Sequence, residues 1–400
     1  MSQVDAADPM SVRASRKWEI LAFGTLSQTA GTVFVSAPAF LIPALQSERG
    51  FSLAQAGFLA SAPLWGLVVS LVAWGALADR FGERVVIAAG LALTTVAAVA
   101  AALSPDVIVL GLAFAAGGVG AASTNAASGR VVVGWFPKQQ RGLAMGIRQM
   151  AQPLGTTVAA LAVPASSAAG ITAALAVPLV LGAVSTVICA VGIANPPRPA
   201  VADAAAAANP YRSSGFLWRI HAVSVLLVVP QYALSLFGLV WLVTEQGWDA
   251  VAAGAVIGAG QFLGAVGRIG VGVLSDRVGS RVRPLRWVSL AAAAAMLALA
   301  GVAAAHWPLG FLVFVLASVI SVADNGLAYT SVAESAGPAW SGRALGVQNT
   351  GQFVAAAAVG PIVGALITPL GYPLVFAACA IAPVIATPLI PRRTAERDRL

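Results

Sequence analysis

Four charged side chains interrupt long apolar stretches of this sequence and are the first candidates for chemistry. They are Arg130, Arg148, Arg268 and Asp324. Moving a charged side chain from water into an apolar surrounding costs ~2.5 kcal/mol or more. Each of these four side chains must therefore face an oppositely charged or polar partner, or water. An arginine fork suits a carboxylate, and a carboxyl group can carry a proton. The residue types therefore indicate anion binding and proton transfer.

Arg148 lies in the polar run RQMAQ, seven residues after Arg141. In a helix this spacing places Arg148 ~10 Å deeper than Arg141, and Gln149 and Gln152 share or adjoin its face. Because a guanidinium matches a carboxylate, the run predicts one wall of an anion-binding cavity. The alternative is an arginine that reaches water at the helix end or braces a neighbouring helix.

Arg268 is the second cationic candidate, eight residues before Asp276 and therefore ~12 Å further into its helix. Gln261 lies two helical turns beyond it. Together with Arg148, Arg268 would form a dibasic anion site between two parts of the chain. Alternatively, Arg268 pairs with Asp276 or reaches water.

Asp324 is the acidic residue that falls deepest inside an apolar stretch, ten positions before Glu334. Removal from water disfavours a charged carboxylate, so Asp324 is the candidate for proton coupling. The alternatives are an Asp324 that stays ionised beside an arginine, or a helix contact that involves Asn325.

A ten-residue sequence occurs twice, as GALADRFGER from Gly75 and as GVLSDRVGSR from Gly272. The copies lie 197 positions apart in a chain of 400, which indicates two related halves. Asp79 and Asp276 occupy the same place in the two copies, at a predicted helix end. A carboxylate there can accept hydrogen bonds from a neighbouring helix start, which contribute ~0.3–2 kcal/mol.

The basic residues near these loops would complete a charge cluster that gates the molecule. Arg80 and Arg277 follow the two aspartates directly, and Arg130 is expected to brace the cluster around Asp79. The alternative is that such arginines only hold the loops at the lipid surface.

A second repeat, at an offset of 200, supports the two halves and extends the predicted binding site. STNAASGR from Ser123 corresponds to ADNGLAYT from Ala323, and AMGIRQMAQ from Ala144 corresponds to ALGVQNTGQ from Ala344. The bend expected at Pro230 would present Gln231 and Tyr232 to the same cavity. The residues added to the site are Asn125, Asn325, Gln348, Asn349, Gln352 and Tyr232.

The composition is that of a membrane protein, with 59% apolar and only 10% charged residues. A soluble domain of this length would carry more charge. Runs of ~20 uncharged residues can cross ~30 Å of hydrocarbon as helices, which satisfy their own backbone groups. We predict twelve helices, at 18–43, 53–76, 84–103, 107–134, 142–164, 171–194, 217–243, 251–274, 284–304, 309–333, 343–367 and 372–390.

Lysine and arginine concentrate in alternate loops, which places those loops and both termini in the cytoplasm. Arg49 alone falls on the opposite side. These loops, beside anionic lipid, account for the net charge of +8, so nucleic-acid binding is not expected. The predicted organisation is a tail at 1–17, a bundle at 18–194, a linker at 195–216, a second bundle at 217–390 and a tail at 391–400.

Twelve helices, a central linker and the motif G-x-L-[A/S]-D-R-x-G after predicted helices 2 and 8 resemble the major facilitator superfamily over nearly the whole chain. The resemblance implies an all-α membrane protein with two pseudo-symmetric six-helix bundles that rock about a central site. It also implies a monomer, and a latch in which Asp79 meets the start of predicted helix 11 and favours the outward-facing state. WFPKQQRGLAMGIRQ, from Trp135, is similar to the corresponding segment of bacterial organic-anion porters in this superfamily.

The function expected from these features is symport of a small carboxylate with protons across the inner cell membrane. The sequence contains no phosphate-binding loop motif, and no cofactor, metal or enzymatic activity is expected. The alternative is proton-coupled efflux of a drug or metabolite, although GIRQMAQPLG, from Gly146, departs from the G-x-x-x-G-P-x-x-G-G of drug antiporters in the superfamily. A receptor or membrane enzyme would need a sensory or catalytic cluster that the sequence lacks.

Overall fold

Helices form the regular structure of this chain, whose computed structural model describes residues 9–104, 106–136, 144, 147–195, 209–213, 215–336 and 340–392. The first half contains α1 (Pro9–Phe40), α2 (Leu53–Phe81), α3 (Glu83–Ala102), α4 (Val107–Trp135), α5 (Ala151–Ser167) and α6 (Ile171–Gly192). The second half begins with α7 (Phe216–Thr244), α8 (Ala250–Val278), α9 (Val282–Ala304) and a two-part α10 (Gly310–Ser321 and Asp324–Ala336). Short helices occur at Ile42–Arg49 and Pro210–Ser213.

The last two spanning helices form one helical stretch that changes direction at a glycine. Ser341–Cys379 is helical except at Gly371, where φ is 74°. This left-handed conformation is readily adopted by glycine alone. We call 341–370 α11 and 372–389, which includes Ile381–Leu389, α12.

The prediction of twelve spanning helices in two bundles is confirmed. Ten helical stretches of the described residues are long and apolar enough to cross a membrane. One of them, Arg343–Leu389, has 47 residues and holds both α11 and α12, because ~20 residues suffice for one crossing. The remaining span is α5, with 17 helical residues.

The structure differs from the prediction in α10, which is divided in two. Val322 and Ala323 form a turn between the segments, and the Ala323 N–H bonds to the carbonyl of Ile320 at 3.1 Å. Neither turn residue is glycine or proline, so the sequence contains no breaker signal at this point. The break leaves carbonyl groups without helical partners inside a spanning element.

Side chains cap the helix starts on the side opposite the termini. Ser52 and Gln55 form a reciprocal capping box at α2, with distances of 3.2 and 2.9 Å. The Asp249 carboxylate accepts from two N–H groups at the start of α8, at 2.9 and 3.0 Å, and Asp106 does the same at α4, at 2.8 and 2.9 Å. These bonds satisfy backbone donors that would otherwise be exposed near the hydrocarbon.

The two halves meet closely on the side opposite the termini. A methyl group added to Gly57 of α2 would lie 2.7 Å from the carbonyl oxygen of Gly360 in α11. One added to Gly254 of α8 would lie 2.1 Å from the carbonyl oxygen of Ala160 in α5. Such approaches leave room for glycine alone. We call these two contacts, Gly57–Gly360 and Gly254–Ala160, the outer seal.

On the side of the termini, buried apolar residues form separate clusters in each half. Leu21, Phe136 and Ala144 pack together in the first half, and Phe216 packs near Ala386 in the second. Among the described residues, the clusters of this side draw members from one half each, whereas the cluster at the outer seal and a smaller one between α2, α7 and α11 include both halves. The molecule is therefore separated toward its basic loops, which is the side that the expected latch would hold closed.

We predict that Gly360→Leu disfavours the sealed state, because the larger side chain overlaps Gly57 and Ser61. Overpacking costs ~1–3 kcal/mol, which shifts the population toward the state open at the seal by roughly five- to 150-fold. Spin labels on Ser47→Cys and Leu309→Cys, at the outer ends of the two halves, should report a longer mean distance.

Gly301→Leu in α9 is the matched control, because open space surrounds Gly301. The buried Cys189 and Cys379 are replaced by alanine in every sample so that only the introduced cysteines react. The same distance distribution for Gly360→Leu and Gly301→Leu would show that the seal does not hold the halves together.

Candidate binding site

A cavity lies between the two halves, enclosed on one side by the outer seal. It contains about 840 Å³ of empty space, part of it open to solvent. Helices α1, α2, α4 and α5 contribute one wall, and α7, α8 and α11 contribute the other. Six residues predicted for the site line this cavity: Asn125, Gln152, Gln231, Tyr232, Gln261 and Arg268.

Arg268 is held in the cavity wall by the break in α10. Its Nε donates to the backbone carbonyl of Val322 at 3.0 Å. Within the described part of the chain, its two terminal nitrogens have no hydrogen-bond partner and it forms no ion pair with Asp276. The Nε edge of the guanidinium is thus fixed. The two terminal nitrogens, which form its fork, remain available to bind an anion.

Arg148 donates hydrogen bonds to neighbouring groups of the protein. Its Nε donates to Ser128 Oγ at 2.8 Å, and its terminal nitrogens donate to Gln149 Oε1 at 3.2 Å and to the Asn125 carbonyl at 3.3 Å. These bonds tie the residues just before α5 to α4, which is the geometry of the bracing alternative. Arg148 and the exposed Gln149 are outside the cavity lining.

The first half holds Asn125 through a glutamine of α1. Gln28 Nε2 donates to Asn125 Oδ1 at 3.2 Å, and Ser128 Oγ donates to Gln28 Oε1 at 3.2 Å. Gln28 is buried. Sequence reasoning missed it, although an amide inside the apolar run of α1 was an available signal.

The second half contains a larger network that joins α7, α10 and α11. Asn325 Nδ2 donates to Gln231 Oε1 at 3.1 Å, and Gln352 Nε2 donates to Asn325 Oδ1 at 3.0 Å. The Tyr329 hydroxyl bonds to Gln352 Oε1 at 2.8 Å and to Asn349 Oδ1. The structure therefore adds Tyr329 to the predicted residues and brings four of them together: Gln231, Asn325, Asn349 and Gln352.

Tyr329 lies where the charged groups of the two halves converge. Its hydroxyl is within electrostatic range of Arg148 in the first half and of Arg268, Asp324 and Tyr232 in the second. Tyr329 follows Asn325 by one helical turn, so both fall on the same face of α10. That spacing could have identified Tyr329 from the sequence.

Asp324 begins the second segment of α10 and is 1% exposed. Its Oδ2 has no hydrogen-bond partner in the described residues. Arg268 attracts the carboxyl group electrostatically without an ion-pair contact between them. Because an unpaired buried oxygen is costly as an anion, this geometry suits a group that binds and releases a proton.

Gln348 is directed away from the cavity. It is 1% exposed, and its Oε1 hydrogen-bonds to Nδ1 of His221 in α7. The other ring nitrogen of His221 is 2.9 Å from the Tyr211 hydroxyl, in the segment that precedes α7. His221 therefore connects Tyr211 to α11.

The repeated loop of the second half forms an ion cluster within that half. Arg281 pairs with Asp276, and it also pairs with Glu334 of α10 at 3.1 Å. Partial burial opposes the charge on Arg281, but Glu334 and Asp276 outweigh it and raise the pKa of Arg281. Among the described residues, Asp276 therefore contacts its own half and no helix start across the cleft.

The structure describes the other residues of the predicted gate only in part. Asp79 in α2 and Arg130 in α4 have helical backbones, and their side chains lie outside the described part of the chain. Arg80 lies against the ring of Phe81 at 5.3 Å, and Arg277 is exposed. The gating role of these residues stays a prediction.

The sequence resembles known proteins along most of its length. The profile of the Major Facilitator Superfamily matches residues 21–359. An uncharacterized MFS-type transporter of Mycobacterium tuberculosis is 47% identical over 388 residues, covering 96% of this chain and 87% of that protein.

Two further relatives match over less than a third of the chain. A probable chloroplastic anion transporter of Arabidopsis thaliana is 34% identical over 122 residues, which are 30% of this chain and 23% of that protein. The 4-hydroxybenzoate transporter of Pseudomonas aeruginosa is 35% identical over 112 residues, which are 28% and 25%.

Solved structures share the fold at low sequence identity. A bacterial homolog of the human lysosomal transporter Spinster, in an inward-facing and unoccupied conformation, superposes with a TM-score of 0.79 at 17% identity, covering 96% of this chain and 98% of that one. A D-xylose-proton symporter gives 0.76 at 15% identity, with coverage of 95% and 99%.

We predict that Ser128→Ala and Arg148→Gln are energetically coupled, because the bond between them joins α4 to α5. A hydrogen bond to a charged group contributes ~1.5–3 kcal/mol. The double variant should therefore lose less free energy of unfolding than the sum of the single variants, by about that amount. The measurement is equilibrium unfolding in mixed detergent micelles.

Ser47→Ala replaces Ser128→Ala in the control cycle, since Ser47 bonds only within its own short helix. Additive losses in both cycles would show that Ser128 does not hold Arg148, and the predicted contact of Arg148 with substrate would then be the stronger interpretation.

Proposed function

Because the chain belongs to the Major Facilitator Superfamily of membrane transporters, we propose that it carries a small carboxylate together with protons by alternating access. Members of this superfamily are not enzymes, so the cavity serves the passage of a small-molecule substrate. The outer seal and the separated basic side fit a carrier that is accessible from one side at a time. The observation that carries the proposal is the available fork of Arg268 in the cavity wall.

The fork of Arg268 supports an anionic substrate. A guanidinium presents parallel N–H donors that match the two oxygens of a carboxylate. The bond from Nε to the Val322 carbonyl fixes the plane of the group before substrate arrives. Binding therefore needs little further ordering of this side chain.

The location of Asp324 supports proton coupling. An ionised Asp324 would compensate the charge of Arg268, and a protonated Asp324 would leave that charge for the substrate. The proton on Asp324 and the anion on Arg268 then stabilise each other's binding. Substrate and proton therefore enter together, and loss of either one lowers the affinity for the other.

The membrane orientation follows from the basic loops. We place the side of the termini in the cytoplasm of a bacterial inner membrane, so the structure corresponds to an inward-facing state. The closed outer seal then separates the cavity from the exterior. The six-helix bundles enclose the cavity between them without a second copy of the chain, and we propose a monomer.

Relatives named for anions favour a carboxylate over the alternative of drug or metabolite efflux. The partial matches are to a probable anion transporter and to a 4-hydroxybenzoate transporter. A lipophilic cation would meet Arg268, which is the one charged residue in the described cavity lining. Efflux of a cation would therefore require Asp324 to overcome that repulsion.

We predict that proteoliposomes accumulate a labelled carboxylate when the pH is lower on the outside. Arg268→Gln should lower the affinity about 10- to 100-fold, since a charge-assisted hydrogen bond contributes ~1.5–3 kcal/mol. Asp324→Asn should abolish accumulation driven by the pH gradient and keep exchange of labelled for unlabelled substrate, because asparagine fills the same space and cannot ionise.

Arg283→Gln and Glu48→Gln are the matched controls, because both residues are exposed outside the cavity lining. They should transport like the native protein. If no carboxylate moves while lipophilic cations or drugs exchange for protons, the proposal is wrong and efflux replaces it.

A further inference from the structure

The cavity wall combines one available cation with several aromatic rings. Arg268 is the one charged residue among the described residues that line it. Phe40, Tyr232 and Phe353 project from α1, α7 and α11 into the same lining. This composition suits a substrate with one anionic end and a flat apolar body.

The number of available guanidinium groups limits how many carboxylates of a substrate the cavity can pair. Arg148 already donates to Ser128, Gln149 and the Asn125 carbonyl, and it is outside the lining. Arg268 has a single bond of this kind, to Val322. The dibasic site expected from the sequence therefore offers one carboxylate position in this structure.

A second carboxylate would face neutral groups. The polar residues of the lining beyond Arg268 are amides and hydroxyls, such as Asn125, Gln152 and Gln261. A desolvated charge without an opposite charge is strongly disfavoured, even where amides donate hydrogen bonds. A dicarboxylate is therefore a poor ligand for this cavity.

The rings are placed near the cation and on both halves. Tyr232 and Arg268 line the same cavity, on the neighbouring helices α7 and α8, so an aromatic ring faces the space in which a carboxylate on Arg268 would lie. Phe40 belongs to the first half and Phe353 to the second. Aromatic groups attract one another beyond the burial of apolar area, through offset or edge contacts. A planar ring can thus contact both halves while its carboxylate meets Arg268.

We propose that the substrate is an aromatic monocarboxylate, and that the cavity discriminates against dicarboxylates and against saturated rings of the same size. This inference rests on the proposed function, since it identifies the class of carboxylate that the same site accepts. Arg268 selects the single charge, and Phe353 with Tyr232 selects the flat ring.

Isothermal titration of the full-length protein in nanodiscs tests the proposal with four ligands of similar size. They are benzoate, cyclohexanecarboxylate, isophthalate and benzamide. Benzoate should bind about tenfold more tightly than cyclohexanecarboxylate, because only benzoate makes ring-to-ring contacts. It should bind roughly a hundredfold more tightly than isophthalate or benzamide, which have an unpaired charge or no charge.

Phe353→Leu assigns the ring preference to this wall. The substitution keeps an apolar side chain, so it should weaken benzoate about tenfold and leave cyclohexanecarboxylate nearly unchanged. Phe58→Leu is the matched control, since Phe58 is 52% exposed on α2 and outside the cavity lining. A loss for both ligands in Phe353→Leu would contradict selection by the ring.

The outcomes separate this inference from the proposed function. Equal affinities for benzoate, cyclohexanecarboxylate and isophthalate would overturn the inference and leave carboxylate transport standing. Binding of none of the three carboxylates by the native protein would overturn both. The predicted order, with its ring preference lost in Phe353→Leu and kept in Phe58→Leu, supports the inference.

Discussion

The site depends on the hydrogen bond from Arg268 to the carbonyl of Val322. A continuous α10 would use that carbonyl within the helix, and Arg268 would have no fixed acceptor. The break supplies the acceptor, and it also places Asp324 at the start of the second segment, close to the same guanidinium. One irregularity in the backbone thus positions the cation and the acid together. Non-helical backbone inside a membrane is stable where it lines a cavity or is buried in protein, and both conditions hold here.

The two halves share the same arrangement of helices but differ in the polar residues that these helices carry. Asn125 and Asn325 are equivalent by the repeat, and each bonds to a glutamine from the first helix of its half, Gln28 or Gln231. Beyond this shared feature the halves diverge. Arg148 supports the first half from within, and the second half has its arginine on α8 instead. The internal symmetry therefore describes the scaffold, while the charge distribution of the cavity is asymmetric.

Most of the fold could be predicted from the sequence, because twenty-residue apolar runs have one structural solution in a membrane. The duplicated loop and the offset of 200 also gave the two halves and the equivalence of Asn125 with Asn325. The break at Val322 could not be predicted, since neither turn residue disfavours a helix. The hydrogen bonds of Arg148 could not be predicted either. Hydropathy and spacing show the depth of an arginine in the membrane but not the acceptors around it. His221 illustrates the same limit, because its partner Gln348 is 127 residues away in the sequence.

The outer seal has a consequence for whether the cavity can be open to both sides at once. At Gly57–Gly360 and Gly254–Ala160, main chains approach each other without intervening side chains. Dispersion attraction between such surfaces decays steeply, and a gap of ~0.5–1 Å already removes a quarter to a half of it. The stabilisation at the seal therefore falls steeply within the first ångström of separation, so the bundles are either joined or apart. A carrier with so few intermediate arrangements has little opportunity for leak, in which ions slip through while both sides of the cavity are open.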